Sequence, residues 1–407
     1  MEIITGGVTA AKGFKAAAAA AEIKYKGRTD MAMVYSEVPC VAAGTFTTNV
    51  VKAAPVKWDQ NVVYNHPSAQ AVICNSGIAN ACTGAEGYGY CKATADAASE
   101  ILGIPADSVL VASTGVIGMQ IPIDRIVNGV KAMAPKLDGS LEAGTEAAKA
   151  IMTTDTVKKE VAVQIEIGGK TVTVGGMCKG SGMIHPNMCT MLGFVTTDAA
   201  ISKEMLQKAL SANIKDTFNM VSVDGDTSTN DMVSVMANGL AGNAEITEKN
   251  ADFDLFKKAL YVVMENMTKM LAADGEGASK FLECSCDGAP DQETAIVVAK
   301  SVIRSPLFKC AMFGEDANWG RILCAIGYAE AEFDIDKVAV ELESEVGTVA
   351  VCKNGAGVAF SEEEAAKILN KDEIYIHVHL NQGEASAKAW GCDLTYDYVK
   401  INGDYRS

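Results

Sequence analysis

The stretch Val161-Ala162-Val163-Gln164-Ile165-Glu166-Ile167-Gly168-Gly169-Lys170-Thr171-Val172-Thr173-Val174 decides how this chain is built. Successive side chains of a strand point to opposite faces, so Val161, Val163, Ile165 and Ile167 fall on one side of an extended segment. Two glycines then supply a tight reversal, and Val172 with Val174 carry the pattern back, which predicts a β-hairpin. The ribbon runs straight into Lys179-Gly180-Ser181-Gly182-Met183-Ile184-His185-Pro186-Asn187-Met188-Cys189-Thr190-Met191-Leu192. Two glycines, a proline and an asparagine make this a turn-rich loop hung from a rigid support. Thr190 stands where the loop passes into an apolar run, 191–196, that reads as a half-buried strand.

Working outward, Met205, Leu206, Ala209 and Leu210 recur at helical spacing within 202–214, and a longer helix is predicted over 252–273. Ser361 followed by Glu364 forms a capping-box pattern ahead of a short helix over 365–369. The run Val109-Leu110-Val111-Ala112-Ser113-Thr114-Gly115-Val116-Ile117-Gly118 reads as a strand ending in a glycine-containing turn. Strands flank helices on both sides, so the predicted class is α+β: layered mixed sheets with flanking helices, in two lobes. No repeat or long linker divides the chain.

With 407 residues, 49% of them hydrophobic, the chain can bury a large core. Thirty-five lysines and arginines against 51 acidic residues leave a formal net charge of −16, which argues against a nucleic-acid partner. The twelve cysteines are scattered and form no Cys-x-x-Cys pair. The run Ala16 to Ala21 is not apolar enough for a signal peptide, and Glu2 sits where a basic region belongs. Reduced thiols, no membrane partner and a cytoplasmic location are therefore expected. Only four histidines occur, His66, His185, His377 and His379. His377 and His379 alternate with apolar residues and should share one solvated strand face, and no metal is expected.

Thr190 carries the chemistry that sets this chain apart. A threonine hydroxyl is a poor nucleophile near neutral pH, but a free α-amino group, with a pKa of about 7.7–8, can act as its base. A cut between Cys189 and Thr190 would put nucleophile and base on one residue. From the residues alone, Thr190 reads as a plain loop-to-strand junction, and Thr114-Gly115 as a plain strand-end turn. The fourteen-residue run from Lys179 to Leu192 is, however, similar to the self-cleavage motif of the ornithine acetyltransferase (glutamate N-acetyltransferase) family. Further matching segments are Gly44 to Asn49, Asn75 to Gly84, Asp224 to Asp231 and Gly314 to Arg321, so the resemblance spans nearly the whole chain.

That resemblance implies a self-cleaving precursor whose fragments, 1–189 and 190–407, stay together as an α2β2 heterotetramer. It implies acetyl transfer from N2-acetylornithine to glutamate through acetyl-Thr190, within arginine biosynthesis, with no cofactor. Some family members also take acetyl-CoA as co-substrate. The Thr114 hydroxyl and Gly115 N–H are implied as the oxyanion hole, the donors that stabilise the tetrahedral intermediate. Thr153, Lys179, Thr190, Glu276, Asn402 and Ser407 are implied as substrate-binding, the last two through the tail Asn402-Gly403-Asp404-Tyr405-Arg406-Ser407. Ile78, His185 and Cys189 depart from the family pattern, which often has Asn, Ala and Ala there. Two other readings stand beside this one: a self-processing N-terminal-nucleophile amidase or aminopeptidase that passes the acyl group to water, and an amino-acid-binding protein that never matures.

Overall fold

Residues 1–185 and 191–404 are described by the structure, a computed structural model. Cys189, Thr190 and Ser407 lie outside the described residues. The first of two compact units comprises Met1–Gly180, Pro186–Asn219 and Thr227–Met267; the second comprises Ser181–His185, Met220–Asp226 and Thr268–Ser407. These units interleave along the chain, a division separate from any cut at 189/190.

The first unit is built on a nine-stranded sheet. Its strands are β1 (Glu2–Ile4), β2 (Phe14–Ala19), β3 (Met31–Phe46), β4 (Ala69–Asn75), β5 (Val109–Ser113), β6 (Lys159–Ile167), β7 (Lys170–Lys179), β8 (Leu192–Thr197) and β10 (Met232–Ala237). They lie in the order β1-β6-β7-β8-β10-β3-β4-β5, with β2 paired to β3 off this path. The predicted hairpin is β6 and β7, in register from Ile167↔Lys170 to Lys159↔Cys178. Gly168 and Gly169 turn it at φ 57° and 73°, a left-handed pair that only glycine adopts without strain.

β8 differs from the half-buried strand read in the sequence. It lies between β7 and β10, and every residue of it is buried. A central strand covered on both faces shows no alternation, so its period misleads. β4 and β5 run parallel, and the helix Ala54–Asn65 packs on β5. That helix turns Val56, Val62 and Val63 inward, and the Trp58 indole N–H donates to Val109 O at 2.9 Å. Each such side chain stabilises the core by about 1.5–3 kcal/mol. Together they fix β5 from its first residue, Val109, and Thr114 and Gly115 follow its last, Ser113.

The second unit holds a seven-stranded sheet, β14-β13-β12-β15-β11-β16-β9. Its strands are β9 (Val221–Ser222), β11 (Phe281–Ala289), β12 (Ala339–Ser344), β13 (Gly347–Lys353), β14 (Ala356–Gly357), β15 (Glu373–His379) and β16 (Ala385–Cys392). Along β11, Leu282, Cys284 and Cys286 are fully buried, and the helix Gln292–Arg304 packs on this strand with Val298 and Val302 also fully buried. The opposite face carries His377 and His379, their rings 6.4 Å apart at 14°, as the alternation predicts. They are half-buried, not freely solvated, because Glu343 of β12 and Asp287 of β11 reach them at 2.7 and 2.9 Å. No group of three metal-capable side chains is present among the described residues.

Candidate functional site

In the first unit, the site grows from the end of β5. Thr114 N–H donates to Asn75 O at 3.0 Å, Val116 N–H to Gly77 O at 3.1 Å, and Ala79 N–H to Val116 O at 3.0 Å. Asn75 adds a side-chain bond to Ile78 O and accepts from the Ser113 hydroxyl at 2.7 Å. Ile78, one of the three departures, is 2% exposed and meets Thr114 and Val116 through its backbone. Its apolar side chain therefore takes nothing from this bonding. Gly115 has φ +129°, and a Cβ there would lie 2.2 Å from Gly77 C. Only glycine lets the two backbones approach this closely. The N–H groups on either side, of Thr114 and Val116, are both bonded, whereas none of the described residues accepts from Gly115 N–H. Thr114 and Gly115 are half-buried, so a hydroxyl and an N–H stand accessible on one rigid turn, the arrangement an oxyanion requires.

Lys179 ends β7 at 8% exposure, where a lysine is ordinarily solvated. Its ammonium lies 3.4 Å from Thr114 Oγ1. Behind it, the Asp155 carboxylate accepts from Lys159 Nζ at 2.7 Å, from Gly180 N–H at 2.7 Å and from Thr153 N–H at 3.0 Å. Burial works to raise the Asp155 carboxyl, but the Lys179 and Lys159 charges, then hydrogen bonds from Lys159 and Thr153, hold it down at about 2. Asp155 thus ties Thr153 to the strand end that carries Lys179. One buried carboxylate faces two ammonium groups, which leaves a net positive centre suited to an anionic group. Asp231, also fully buried, is pushed well above the usual carboxylate range, with the charge of Lys179 offsetting only part of that rise.

In the second unit, Glu276 is 6% exposed and accepts from Asn402 Nδ2 at 2.7 Å. Asn402 belongs to the helix Tyr396–Gly403, so this part of the tail is anchored where a polar terminus would ordinarily fray. Gly182 lies against the same carboxylate: a Cβ at 182 would meet Glu276 Cδ at 2.3 Å. Ser181 O accepts from Glu276 N–H, and Asp224 accepts the N–H groups of Met183 and Ile184, both at 2.7 Å. Burial raises Asp224, offset in part by those two donors. The loop that leads towards Thr190 is therefore fixed up to His185. His185 is buried, and desolvation followed by the charges of Lys300 and Arg304 lowers its ring to about 3, so it is neutral near pH 7.

Of the residues singled out from sequence, the structure brings Thr114, Gly115, Thr153 and Lys179 into one connected cluster, and Glu276 and Asn402 into another. Sequence reasoning missed Asp155, Asn75, Asn230 and Asp224. Asn75, Asn230 and Asp224 lie in segments matched to the family, which was the available signal. Asp155 stands two residues after Thr153 and four before Lys159, a spacing that is common on any polar turn.

The ArgJ family model matches residues 15–407. The chain is 51% identical over 397 residues to arginine biosynthesis bifunctional protein ArgJ 1 of Clostridium acetobutylicum, covering 97% of this chain and 96% of the relative. It is also 51% identical over 409 residues to arginine biosynthesis bifunctional protein ArgJ of Symbiobacterium thermophilum, covering both chains completely. The crystal structure of ArgJ from Bacillus halodurans matches with a TM-score of 0.50 and 48% identity, over 53% of this chain and 99% of that chain. Full-length likeness at this level, on top of the motif from Lys179 to Leu192, places the chain in the ArgJ family.

Proposed function

We propose that this protein is an acetyltransferase of arginine biosynthesis which cuts itself between Cys189 and Thr190 and then carries acetyl on Thr190. The observation that carries this reading is the Thr114–Gly115 turn, fixed by backbone bonds to Asn75, Gly77 and Ala79 and carrying a half-buried hydroxyl and N–H on successive residues. Thr190 Oγ attacks the amide carbonyl of N2-acetylornithine, and its proton passes to the α-amino group released by scission. Charge develops on the carbonyl oxygen and is met by Thr114 Oγ1–H and Gly115 N–H. The tetrahedral intermediate collapses by breaking the C–N bond, and ornithine leaves with the proton. Glutamate then attacks the acetyl ester through its amine and departs as N-acetylglutamate. Amide donor and amide product are alike in energy, so the cycle needs no cofactor; acetyl-CoA is the second acetyl donor to test.

Substrate charges are allotted by chemistry. Lys179, with Thr153 held beside it through Asp155, meets a carboxylate; Glu276, buttressed by Asn402, meets an ammonium, and Ser407 completes the set. The fragments remain assembled as an α2β2 heterotetramer, in the cytoplasm. No described helix is long and apolar enough to cross a membrane. The test is incubation with N-acetylornithine, with and without glutamate. Glutamate-dependent N-acetylglutamate supports the transferase, whereas acetate released at the same rate without glutamate supports the hydrolase reading.

A further inference from the structure

We propose that Asn230 is the positioning residue of the Thr114–Gly115 donor pair, an inference that rests on the acyl-transfer reading and extends it. Asn230 is 5% exposed and spends both of its amide hydrogens on main-chain carbonyls, Ala79 O at 2.6 Å and Ser113 O at 2.8 Å. Ser113 is the residue just before the turn. Ala79 in turn donates its N–H to Val116 O, the residue just after it. One side chain thus grips the turn from both ends, directly at Ser113 and through Ala79 at Val116. The two carbonyls fix which end of the amide faces them, and the Thr229 hydroxyl donates to the other end, Asn230 Oδ1, at 2.6 Å.

The chemistry requires an amide here. Two carbonyl oxygens need two donors on one rigid plane, with no negative charge facing them. An ionised aspartate would aim oxygen at oxygen, and glutamine would overshoot by a methylene. Oxyanion donors act only when held within about 0.5 Å of the productive geometry, and removing one costs about 10²–10³ in kcat. A loosened turn degrades both donors at once, while Lys179, whose ammonium reaches Thr114 Oγ1, stays held from its other side by Asp155.

The same acetyl carbon becomes tetrahedral when ornithine leaves and when glutamate arrives, so loss of Asn230 slows both half-reactions by one common factor. The experiment compares cut, folded wild type with Asn230→Ala, Asn230→Asp and Thr229→Val. For Asn230→Ala, kcat falls about 10–100-fold in each half-reaction while KM for N-acetylornithine and for glutamate stays within about twofold. Asn230→Asp falls as far at neutral pH, and its activity relative to wild type rises as pH falls, because a protonated carboxyl regains one donor. Thr229→Val, which removes the donor that holds Asn230 Oδ1, shows the same pattern at about three- to tenfold and serves if Asn230→Ala does not fold. Wild-type transfer beside an Asn230→Ala whose kcat holds, or whose KM alone rises, overturns the inference. Cut and folded wild type that transfers no acetyl overturns the underlying acyl-transfer reading as well.

Discussion

Gly115→Ala puts the oxyanion assignment at risk in a single methyl group. At φ +129° an L side chain is strained, and the new Cβ would sit 2.2 Å from Gly77 C and 2.4 Å from its carbonyl oxygen. Carbon atoms in contact prefer 3.5–4.0 Å, so the deficit is above 1 Å. Gly77 O also accepts from Val116 N–H at 3.1 Å, so relief by moving Gly77 breaks a bond on the far side of the turn. Relief by moving Gly115 swings its N–H well beyond the roughly 0.5 Å that a catalytic donor tolerates. Backbone strain of about 1–3 kcal/mol falls on stability. The loss of one oxyanion donor falls on the barrier, about 2.7–4 kcal/mol or 10²–10³ in kcat. KM should not move, because the donor is matched to the intermediate and not to the resting carbonyl. The assay is steady-state transfer from N-acetylornithine to glutamate on material shown by mass to be cut, with thermal unfolding alongside. A folded, cut variant whose kcat stays within threefold, or whose loss lies in KM, refutes the assignment.

Asp155, Gly182 and His185 each allow a further test. Asp155→Asn leaves the Lys159 ammonium, 0% exposed, without its carboxylate and should cost about 3–5 kcal/mol, whereas Asp155→Asn with Lys159→Met should recover most of it in urea unfolding. The Asp155 carboxyl is lowered to about 2 from 3.8, so its contribution of roughly 2 kcal/mol is present above pH 4 and lost as pH falls towards 2; that component is absent from the double variant. Gly182→Ala drives a methyl into the Glu276 carboxyl, so KM for the ornithine-bearing donor should rise about tenfold with kcat little changed, and an unaltered KM counts against Glu276. His185, lowered to about 3, stabilises the fold fully above its unfolded value of 6.5 and loses that contribution between there and pH 3; an NMR titration with the ring charging near pH 6.5 contradicts this.

Local periodicity carried the parts of the fold that depend on near neighbours. The β6–β7 hairpin, the helix Ala251–Ala273 and the Ser361 cap, which accepts Glu364 N–H at 3.2 Å, all follow from residues within a few positions of one another. Pairing between distant segments left no such trace. β8 hides its central place because burial on both faces erases alternation. The carboxylates beside His377 and His379 come from other strands, so nothing in 374–380 announces them. The candidate site divides in the same way. Thr114, Gly115, Lys179 and Glu276 stand in recognisable motifs, but what holds them is non-local: Asp155 bonds to Gly180 across 25 positions, and Asn230 to Ser113 across 117. An aspartate or an asparagine in a polar turn looks alike whether it is solvated or supports a catalytic turn.

Intact-mass analysis of purified, active wild type beside Thr190→Ala tests the central claim most directly. Wild type should resolve into 1–189 and 190–407, with an acetyl group on the second after brief exposure to N-acetylornithine, while Thr190→Ala remains one chain. Active wild type consisting of a single unbroken polypeptide, or an acetyl group on any residue other than Thr190, contradicts the account.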